Sequence, residues 1–319
     1  METKLWDRFT NLPIIHQLIE VLTAIKIPGF KGMSLFDLFE RYFIGILKGA
    51  ITTRASGIAY SFFMAIFPFL LFILTLISFI PIEGFPETFT GFIAQILPPK
   101  TYDAVESVII DIVNNRYGGL LSFGFLASIF LMANGVSAIF ASFEYSYYKV
   151  ESRNVFKAYF LSVGISLVMS FFLIITVVAL VFIKFLLDYF QNSGWLDDMT
   201  FWLELGRQII FVICVLMIVS ILYYYGTREG KKQAFFSPGS IMTTILSIGT
   251  FSLFGVYVEK FARYNELYGS IGTLLIIMIF IWLNSIILLL GYELNVSLLG
   301  LKKLSKSENL EEIGSILKN

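Results

Sequence analysis

The sequence predicts an all-α membrane protein, a polytopic bundle of six transmembrane helices with additional amphipathic helices on the membrane surface. Two observations predict this fold class. Hydrophobic residues make up 57% of the chain and charged residues only 14%, a balance that soluble globular proteins do not have. In addition, six apolar runs come close to or exceed the length of about 20 residues that matches the hydrocarbon core of a bilayer.

The composition also restricts the possible functions. The formal net charge is zero, which provides no bulk electrostatic attraction for nucleic acid. The single cysteine, Cys214, excludes an intrachain disulfide, and the single histidine, His16, excludes a multi-histidine metal site. We therefore expect no metal, no cofactor and no nucleic-acid partner, and we expect membrane lipids to surround the chain.

Residues 1–54 precede the first span. Within them, residues 35–51 carry apolar side chains at helical spacing and charged side chains on the other faces, which predicts an amphipathic helix. Two placements fit this pattern, because the helix can lie on the membrane surface or pack on the inner face of the bundle. Gly45 and Gly49 have the small-xxx-small spacing of helix contacts, but they lie outside the spans and receive little weight.

The first span is predicted at residues 55–80, with Pro68 in its middle. A proline inside a helix removes one backbone hydrogen bond and bends the helix, so Pro68 indicates a packed or functional bend. The connection at residues 81–118 is too polar to span a membrane. Its apolar stripes on either side of Pro98-Pro99 predict two short amphipathic helices.

The next three spans are predicted at residues 118–143, 158–183 and 208–225. Asn134 lies near the centre of the first of these spans, and Glu144 lies at its end. Charged residues such as Lys184 and Asp188 follow the middle span, so a polar loop is expected at residues 184–207.

The last two spans form a hairpin. Ser237 is a favoured N-cap residue and Pro238 suits the first helical position, so a helix is predicted to begin there. A short charged corner at residues 259–266 separates this helix from the sixth span at residues 267–292, so the two helices should be antiparallel neighbours. Gly291, near the end of the sixth span, is predicted to let a neighbouring backbone come close.

Six spans put both termini on the same side of the membrane. Of the 23 lysines and arginines, 17 fall in the terminal segments and the loops on that side, and 6 fall on the opposite side. Because cytoplasmic segments carry an excess of these residues, both termini are predicted to be cytoplasmic. The chain then divides into a cytoplasmic segment (1–54), a transmembrane domain (55–299) and a cytoplasmic tail (300–319), which is either a short surface helix or disordered.

Polar residues inside the spans are the candidates for a functional site, because such side chains are costly in a membrane. A buried asparagine is most often a link between helices, and a place in a substrate path is the alternative for Asn134 and Asn284. Glu144 and Glu293 lie near helix C-termini, where a carboxylate opposes the helix dipole and needs a partner. Arg54 lies at a compatible depth, so the sequence predicts either a structural Glu–Arg pair or a gating, proton-linked pair.

Several short motifs occur in a characteristic order. They are Ala55-Ser56-Gly57-Ile58-Ala59-Tyr60 ahead of Phe67-Pro68, Asn134-Gly135-Val136, residues 261–272 around Tyr264-Asn265, and Trp282 ahead of Gly291-Tyr292-Glu293-Leu294-Asn295. Together they resemble the bacterial YihY/BrkB family of six-span inner-membrane proteins, once mislabelled as ribonuclease BN. The resemblance covers about residues 35–300 and implies a six-span fold located in the bacterial inner membrane.

The candidate substrate-path or gating residues are Arg54, Tyr60, Pro68, Asn134, Glu144, Asn265, Asn284, Glu293 and Asn295. The leading hypothesis is a transporter or exporter of an amphipathic or lipid-linked solute. The alternatives are a non-transporting envelope or scaffold protein and an intramembrane enzyme. A transporter should line a cavity with its polar residues, a scaffold should pack them together, and an enzyme needs convergent ionisable groups at one depth. Because the carboxylates are scattered over loops on both sides, we expect no catalytic residues and no nuclease.

The charge distribution predicts that residues 81–118 and 184–207 lie outside the cell membrane. In a Cys214→Ser background, cysteines placed at Glu87 and Asp197 should therefore react with a membrane-impermeant thiol reagent in intact cells. A cysteine placed at Arg228 should stay unlabelled until the cells are opened. Labelling at Arg228 but not at the other two positions would contradict this topology.

Overall fold

The computed structural model of the 319-residue chain describes residues 13–26, 33–79, 90–91, 99–148, 153–192, 199–260 and 270–316. Over these residues the chain forms nine α-helices: α1 (Pro13–Ala24), α2 (Leu35–Lys48), α3 (Ile51–Ile77), α4 (Pro99–Asn114), α5 (Gly118–Glu144), α6 (Val155–Asn192), α7 (Met199–Gly226), α8 (Pro238–Lys260) and α9 (Ser270–Ile316). Within the same ranges there is no β-strand, and one isolated β-bridge joins Lys26 and Ser34.

Six of these helices are long and apolar enough to cross a membrane, namely α3, α5, α6, α7, α8 and α9. Their apolar stretches are Ile51–Phe72, Gly118–Glu144, Val155–Phe172, Phe201–Gly226, Pro238–Tyr257 and Leu274–Ser305. The predicted all-α fold with six membrane-spanning helices is therefore confirmed over the described part of the chain.

The six long helices form a closed ring, in which each helix packs on the next from α3 through α5, α6, α7 and α8 to α9, and α9 packs back on α3. The apolar core lies at one end of this ring, where the first turns of α3 and the last turns of α5 and α7 pack around Leu288, Leu289, Tyr292 and Val296 of α9. The start of α8 packs on α9 at the same end. We call this the packed end. There the ring of Phe143 stacks on the ring of Tyr292 with centroids 4.0 Å apart, and both side chains are buried.

Two glycines bring α8 and α9 into backbone contact at the packed end. A Cβ atom added to Gly239 would overlap the carbonyl oxygen of Gly291, and one added to Gly291 would overlap the Thr243 hydroxyl. The Tyr223 hydroxyl of α7 donates to the Leu288 carbonyl of α9 at 2.6 Å and lies 2.6 Å from Thr243 Oγ1. The predicted close approach at Gly291 is confirmed, since α7, α8 and α9 are joined there.

The helix α2 has two different faces. Gly45 is buried on the face that packs on α9, while an apolar ridge on the opposite face is exposed. We call this the α2 ridge, and it consists of Phe39, Phe43 and Leu47. One face of α2 therefore packs on the bundle, as in one predicted placement. The other face is suited to a membrane surface, as in the other predicted placement. Ala50, with a φ of 47°, makes the sharp turn from α2 into α3.

Two predicted boundaries are wrong. The first span begins at Ile51 rather than at residue 55, so Arg54 lies inside α3. The polar loop predicted from residue 184 is helix as far as Asn192, because no glycine or proline interrupts residues 165–192 and isolated charges do not end a helix. The tail predicted after residue 300 is helical as far as Ile316 and continues α9 without a break, and its place outside the membrane stays a prediction.

Other predicted ends agree with the structure or lie outside the described residues. α8 begins at Pro238, and Ser237 Oγ accepts the Ser240 N–H at 3.2 Å, which confirms the predicted N-cap. α4 is the second of the two helices predicted in the first connection and begins at Pro99. Most of the first predicted helix lies outside the described residues, as do residues 261–266 of the predicted corner, which include Asn265.

Candidate functional site

Arg54 and Glu293 meet at the packed end of the bundle. Arg54 lies in the first turn of α3, and Glu293 lies in α9, two residues beyond Gly291. Arg54 Nη1 is 2.8 Å from Glu293 Oε1, and the two side chains are only 7% and 0% exposed. Of the two carboxylates that the sequence offered as partners for Arg54, Glu293 is the one that the structure joins to it.

Further hydrogen bonds tie this pair to three neighbouring segments. Arg54 Nε donates to Ser142 O near the end of α5 at 2.9 Å, and Arg54 Nη1 also donates to Gly49 O at 2.9 Å. Ser146 Oγ, in the turn after α5, donates to Glu293 Oε2 at 2.8 Å. Both carboxylate oxygens therefore accept a hydrogen bond, while Arg54 Nη2 is buried without a partner among the described atoms.

The Ser142 carbonyl lies at a helix end where a positive charge is favourable. It belongs to the last four carbonyls of α5, which have no partner inside an α-helix and carry the negative end of the helix dipole. Arg54 bonds to this carbonyl and places its positive charge against that end of α5. The helix that ends beside the pair therefore contributes to holding the guanidinium.

Two glycines make room for the pair. A Cβ atom on Gly45 would lie 3.2 Å from Glu293 Oε2, and one on Gly49 would lie 3.1 Å from Arg54 Nη1. The small-xxx-small spacing of these glycines received little weight from sequence because α2 is not a span, and that assessment was wrong. The spacing marks the face on which α2 approaches the Arg54–Glu293 pair.

The Glu293 charge also reaches Tyr42 on α2. Burial, and then the negative charge of Glu293, raise the pKa of Tyr42 to about 12. The Tyr42 phenol is therefore protonated throughout the physiological pH range and acts as a neutral group beside the carboxylate. Sequence reasoning missed Tyr42 as well as Ser142 and Ser146, because no local pattern distinguishes them from other residues of their types.

Glu144 belongs to a separate cluster. The Arg153 backbone N–H donates to Glu144 Oε1 at 2.9 Å, and Arg153 Nη1 donates to the Tyr225 carbonyl at 2.5 Å. Burial lowers the pKa of the Arg153 guanidinium, and the nearby Glu144 opposes that shift. Glu144 thus ties the end of α5 to the segment ahead of α6 and has a partner other than Arg54, while Arg153 itself reaches the end of α7.

Asn295 caps the neighbouring helix α8. Its Oδ1 accepts the Gly239 N–H at 2.9 Å, and its Nδ2 donates to Ser237 Oγ at 2.8 Å. The first N–H groups of an α-helix have no partner within the helix, so Asn295 satisfies one of them from α9. Asn295 therefore follows Glu293 closely in sequence but serves the contact between α8 and α9.

The other predicted site residues lie apart from this cluster or outside the described residues. Asn284 Nδ2 donates to the Phe280 carbonyl of its own helix at 2.9 Å, and Tyr60 is 59% exposed. Pro68 lies inside α3, which continues beyond it, and Asn134 is half-buried in α5. Asn265 lies outside the described residues.

Two pockets on the described part of the chain are lined by residues other than the polar residues of the spans. Glu293 is fully buried between protein groups, and Asn284 bonds to its own helix. One of these pockets lies on α4 around Asp111, and the other lies beside Arg41. Among the described residues, no group of three or more His, Cys, Asp and Glu side chains could hold a metal ion.

Replacing one partner of the pair should cost more stability than replacing both. Arg54→Met or Glu293→Leu alone leaves a buried unpaired charge, and each should lower the free energy of unfolding by about 3–5 kcal/mol. The double variant removes both charges and should recover most of that loss. Thermal unfolding of the purified proteins in detergent measures the difference. Glu144→Leu is the control, because its effect should simply add to that of Arg54→Met, and a strictly additive result for Arg54→Met with Glu293→Leu would contradict the coupling.

The chain has relatives among known bacterial proteins. The family model described as Virulence factor BrkB matches residues 44–311. YfkH of Bacillus subtilis strain 168, whose name calls it ribonuclease-like, is 33% identical over 272 residues, which cover 85% of this chain and 96% of YfkH. A UPF0761 membrane protein of Vibrio campbellii is 24% identical over 261 residues, covering 78% of this chain and 77% of its own.

A UPF0761 membrane protein of Coxiella burnetii strain RSA 493 is 23% identical over 244 residues, which cover 75% of this chain and 84% of that protein. No solved structure matches the chain. The region matched by the family model includes Arg54, Glu293 and all six candidate spans of the described residues. This protein therefore belongs to the BrkB/YihY family of integral, multi-pass membrane proteins.

Proposed function

We propose that the protein transports or exports an amphipathic or lipid-linked solute across the bacterial inner membrane, with both termini in the cytoplasm. The observation that carries this proposal is the buried Arg54–Glu293 pair. Ionisable side chains inside membrane proteins are expensive and commonly mark a substrate or ion pathway. In this proposal the pair is a gate, and the packed end is the cytoplasmic end of the bundle.

The uneven packing of the bundle supports a gate at the packed end. At the packed end, the buried apolar residues of α3 and α5 include Ile51, Ala55, Ile58, Ile139, Phe140 and Phe143. Exposed large apolar residues of the same helices lie toward the opposite end, and they include Phe67, Phe69, Leu70, Phe123, Phe125 and Leu126. Among the described residues the apolar core lies at the packed end, and a bundle closed at that end corresponds to one state of an alternating-access cycle.

The hydrogen bonds of the pair suggest how such a gate opens. Separating Arg54 from Glu293 leaves two buried charges unless water or a solute group replaces the lost partner. Arg54 already has one buried donor, Nη2, without a partner among the described atoms. A polar group of the solute can bond to this donor as the pair separates, which couples opening to the presence of solute.

A non-transporting scaffold protein is the second candidate, and specific contacts favour it. Both oxygens of Glu293 accept hydrogen bonds, Asn295 caps α8, and Asn284 bonds within its own helix. Each of these polar side chains thus has a structural partner. The two candidates differ in what happens when the charge of Glu293 is removed while its hydrogen bonds are kept.

We propose no enzymatic activity for this chain. Arg54 and Glu293 are two ionisable groups at one depth, as an intramembrane enzyme would need, but they neutralise each other and are held by protein groups. Metal-dependent nucleases hold their metal ions with clustered carboxylates or histidines. The ribonuclease-like name belongs to YfkH, and we do not extend that activity to this chain.

The Glu293→Gln variant distinguishes the transporter hypothesis from the scaffold hypothesis. Glutamine has the size of glutamate and can form both hydrogen bonds, because its carbonyl can accept from Arg54 and its amide can donate to Ser146. Because the Arg54 charge loses its partner but both hydrogen bonds remain, we expect this variant to be less destabilised than Glu293→Leu, to be inserted in the membrane, and yet to fail to complement a strain that depends on the protein. In reconstituted vesicles, the wild type should move a fluorescent phospholipid or an amphipathic dye across the bilayer, and the variant should not.

Glu144→Gln is the matched control, since it neutralises a carboxylate at a helix end that has a different partner. It should keep both complementation and movement of the probe. A strongly destabilised Glu293→Gln protein would favour the scaffold instead. A stable Glu293→Gln protein with full activity would remove Glu293 from the transport path.

The absence of nuclease activity can be measured directly. Purified protein incubated with RNA and Mg²⁺, Mn²⁺ or Zn²⁺ should leave the RNA intact, because the sequence offers one histidine and scattered carboxylates as ligands. Gel analysis of the RNA gives the readout. Cleavage that disappears when a residue of this chain is replaced would overturn the expectation, whereas cleavage that persists in every variant would indicate a contaminating nuclease.

A further inference from the structure

A pocket opens at the packed end between α2, α9 and the turns that follow α5 and α7. Its polar lining consists of Arg41, Tyr148, Glu229 and Lys303, and Gly300 of α9 lies against Arg41. This pocket is separate from the Arg54–Glu293 pair, and none of the predicted site residues lines it. It contains two cationic side chains, which is unusual beside the apolar part of a membrane helix.

Arg41 is held in place but lacks a full set of partners. Its guanidinium carbon lies 3.9 Å from the centroid of the Tyr148 ring, and the Tyr148 hydroxyl donates to the Arg41 carbonyl at 2.6 Å. A Cβ atom on Gly300 would overlap the Arg41 guanidinium, so the arginine rests directly on the backbone of α9. Arg41 Nε is nevertheless buried without a hydrogen-bond partner among the described atoms.

A second unpartnered polar atom lies on the same seam between α2 and α9. Gly45 of α2 lies against Glu293, and Arg41 of α2 lies against Gly300, so α2 follows one face of α9. Ser297 lies between these two contacts on that face, one helical turn from each of them. The Ser297 hydroxyl is also buried without a partner among the described atoms. Ser297 does not line the pocket, but Arg41 does, and because an unmet buried polar group costs free energy, Arg41 Nε indicates a place for a ligand or water.

The charge of the pocket selects the kind of ligand. Lys303 Nζ is 2.6 Å from Glu229 Oε1, and these side chains are 55% and 9% exposed. The Lys303–Glu229 pair is neutral overall, so Arg41 leaves the pocket with one net positive charge. A group with a single negative charge, such as a phosphodiester, matches this charge, and arginine bonds to phosphate oxygens through its Nε and Nη groups.

The position of the pocket selects the source of that phosphodiester. The α2 ridge, which faces away from the bundle, is exposed and lies immediately before the first span, so α2 sits at the surface of the membrane. The pocket is lined by residues from the last turns of the apolar stretch of α9, so it lies at the level of the lipid headgroups. Basic pockets at this depth between membrane helices are suited to lipid headgroups.

We propose that this pocket binds the phosphodiester of an anionic phospholipid, with Arg41 as the main phosphate ligand, Lys303 as the second cation and Tyr148 as the support of Arg41. Glu229 limits the site to singly charged headgroups by neutralising Lys303. The binding site does not depend on the protein being a transporter, because it requires only the contacts of the pocket.

Native mass spectrometry of the purified full chain in detergent tests the site with three probes: short-chain phosphatidylglycerol, short-chain phosphatidylcholine and soluble glycerol phosphate. Phosphatidylglycerol should bind more tightly than phosphatidylcholine, and glycerol phosphate should show no binding at the same concentration. Arg41→Gln should weaken phosphatidylglycerol binding about tenfold, because it removes a charge-assisted hydrogen bond. Lys48→Gln is the matched control, because Lys48 is an exposed cation on the same helix and should change binding less than about twofold.

Glu229→Gln should change the affinity for phosphatidylglycerol in the opposite direction. A variant that merely damages the fold would not bind the lipid more tightly. Glu229→Gln frees Lys303 for the phosphate, so phosphatidylglycerol should bind a few-fold more tightly. Unchanged binding in both Arg41→Gln and Glu229→Gln would overturn the site. Equal binding of phosphatidylcholine would overturn the charge selection, and binding of glycerol phosphate as tight as that of the lipid would show a site for free phosphate esters. If Arg41→Gln fails to fold, a Glu229→Gln protein without tighter binding is sufficient to reject the proposal.

Discussion

The ion pair between Arg54 and Glu293 joins residues that are 239 positions apart in the chain, and it leaves their side chains only 7% and 0% exposed. Either charge alone would be expensive in this apolar environment, so α3 and α9 must come together for the other to be tolerated. The end of α5 and the turn after it must be present as well, because they supply the Ser142 carbonyl and the Ser146 hydroxyl. The helices α3, α5 and α9 are therefore arranged around the Arg54–Glu293 pair at the packed end.

Glycines allow the helices to come close enough to form this arrangement. Lipid chains are as apolar as the side chains between helices, so helices in a membrane associate largely through close packing and hydrogen bonds rather than through the hydrophobic effect. Gly239 and Gly291 let α8 and α9 touch through their backbones, while Gly45 and Gly49 make space for the pair on the side of α2. Tight packing and polar contacts therefore occur at the same end of the bundle.

Sequence patterns predicted those parts of the structure that depend on local chemistry. Long apolar runs identified six spans, and Ser237-Pro238 marked the start of α8 correctly. Charged residues misled the prediction of a helix end at residue 184, because residues 165–192 contain no glycine or proline and isolated charges do not end a helix. The contacts of Ser142 and Ser146 lie 88 and 147 positions from their partners, so no local pattern could indicate them. The spacing of Gly45 and Gly49 indicated a close helix contact, but it was given little weight because these glycines lie outside a span.

The length of α9 has a mechanical consequence. This single helix extends 25 residues beyond its backbone contact at Gly291 and reaches Ile316, so that part of it is a rod about 38 Å long at 1.5 Å per residue. Because α9 is held by its neighbours from Gly291 to Lys303, a small tilt of this held part about Gly291 is amplified at its tip. A tilt of about 10° there would displace the tip by about 7 Å, which is more than one turn of an α-helix. A change in the packing around Glu293 would thus move the C-terminal end of α9 by a large distance.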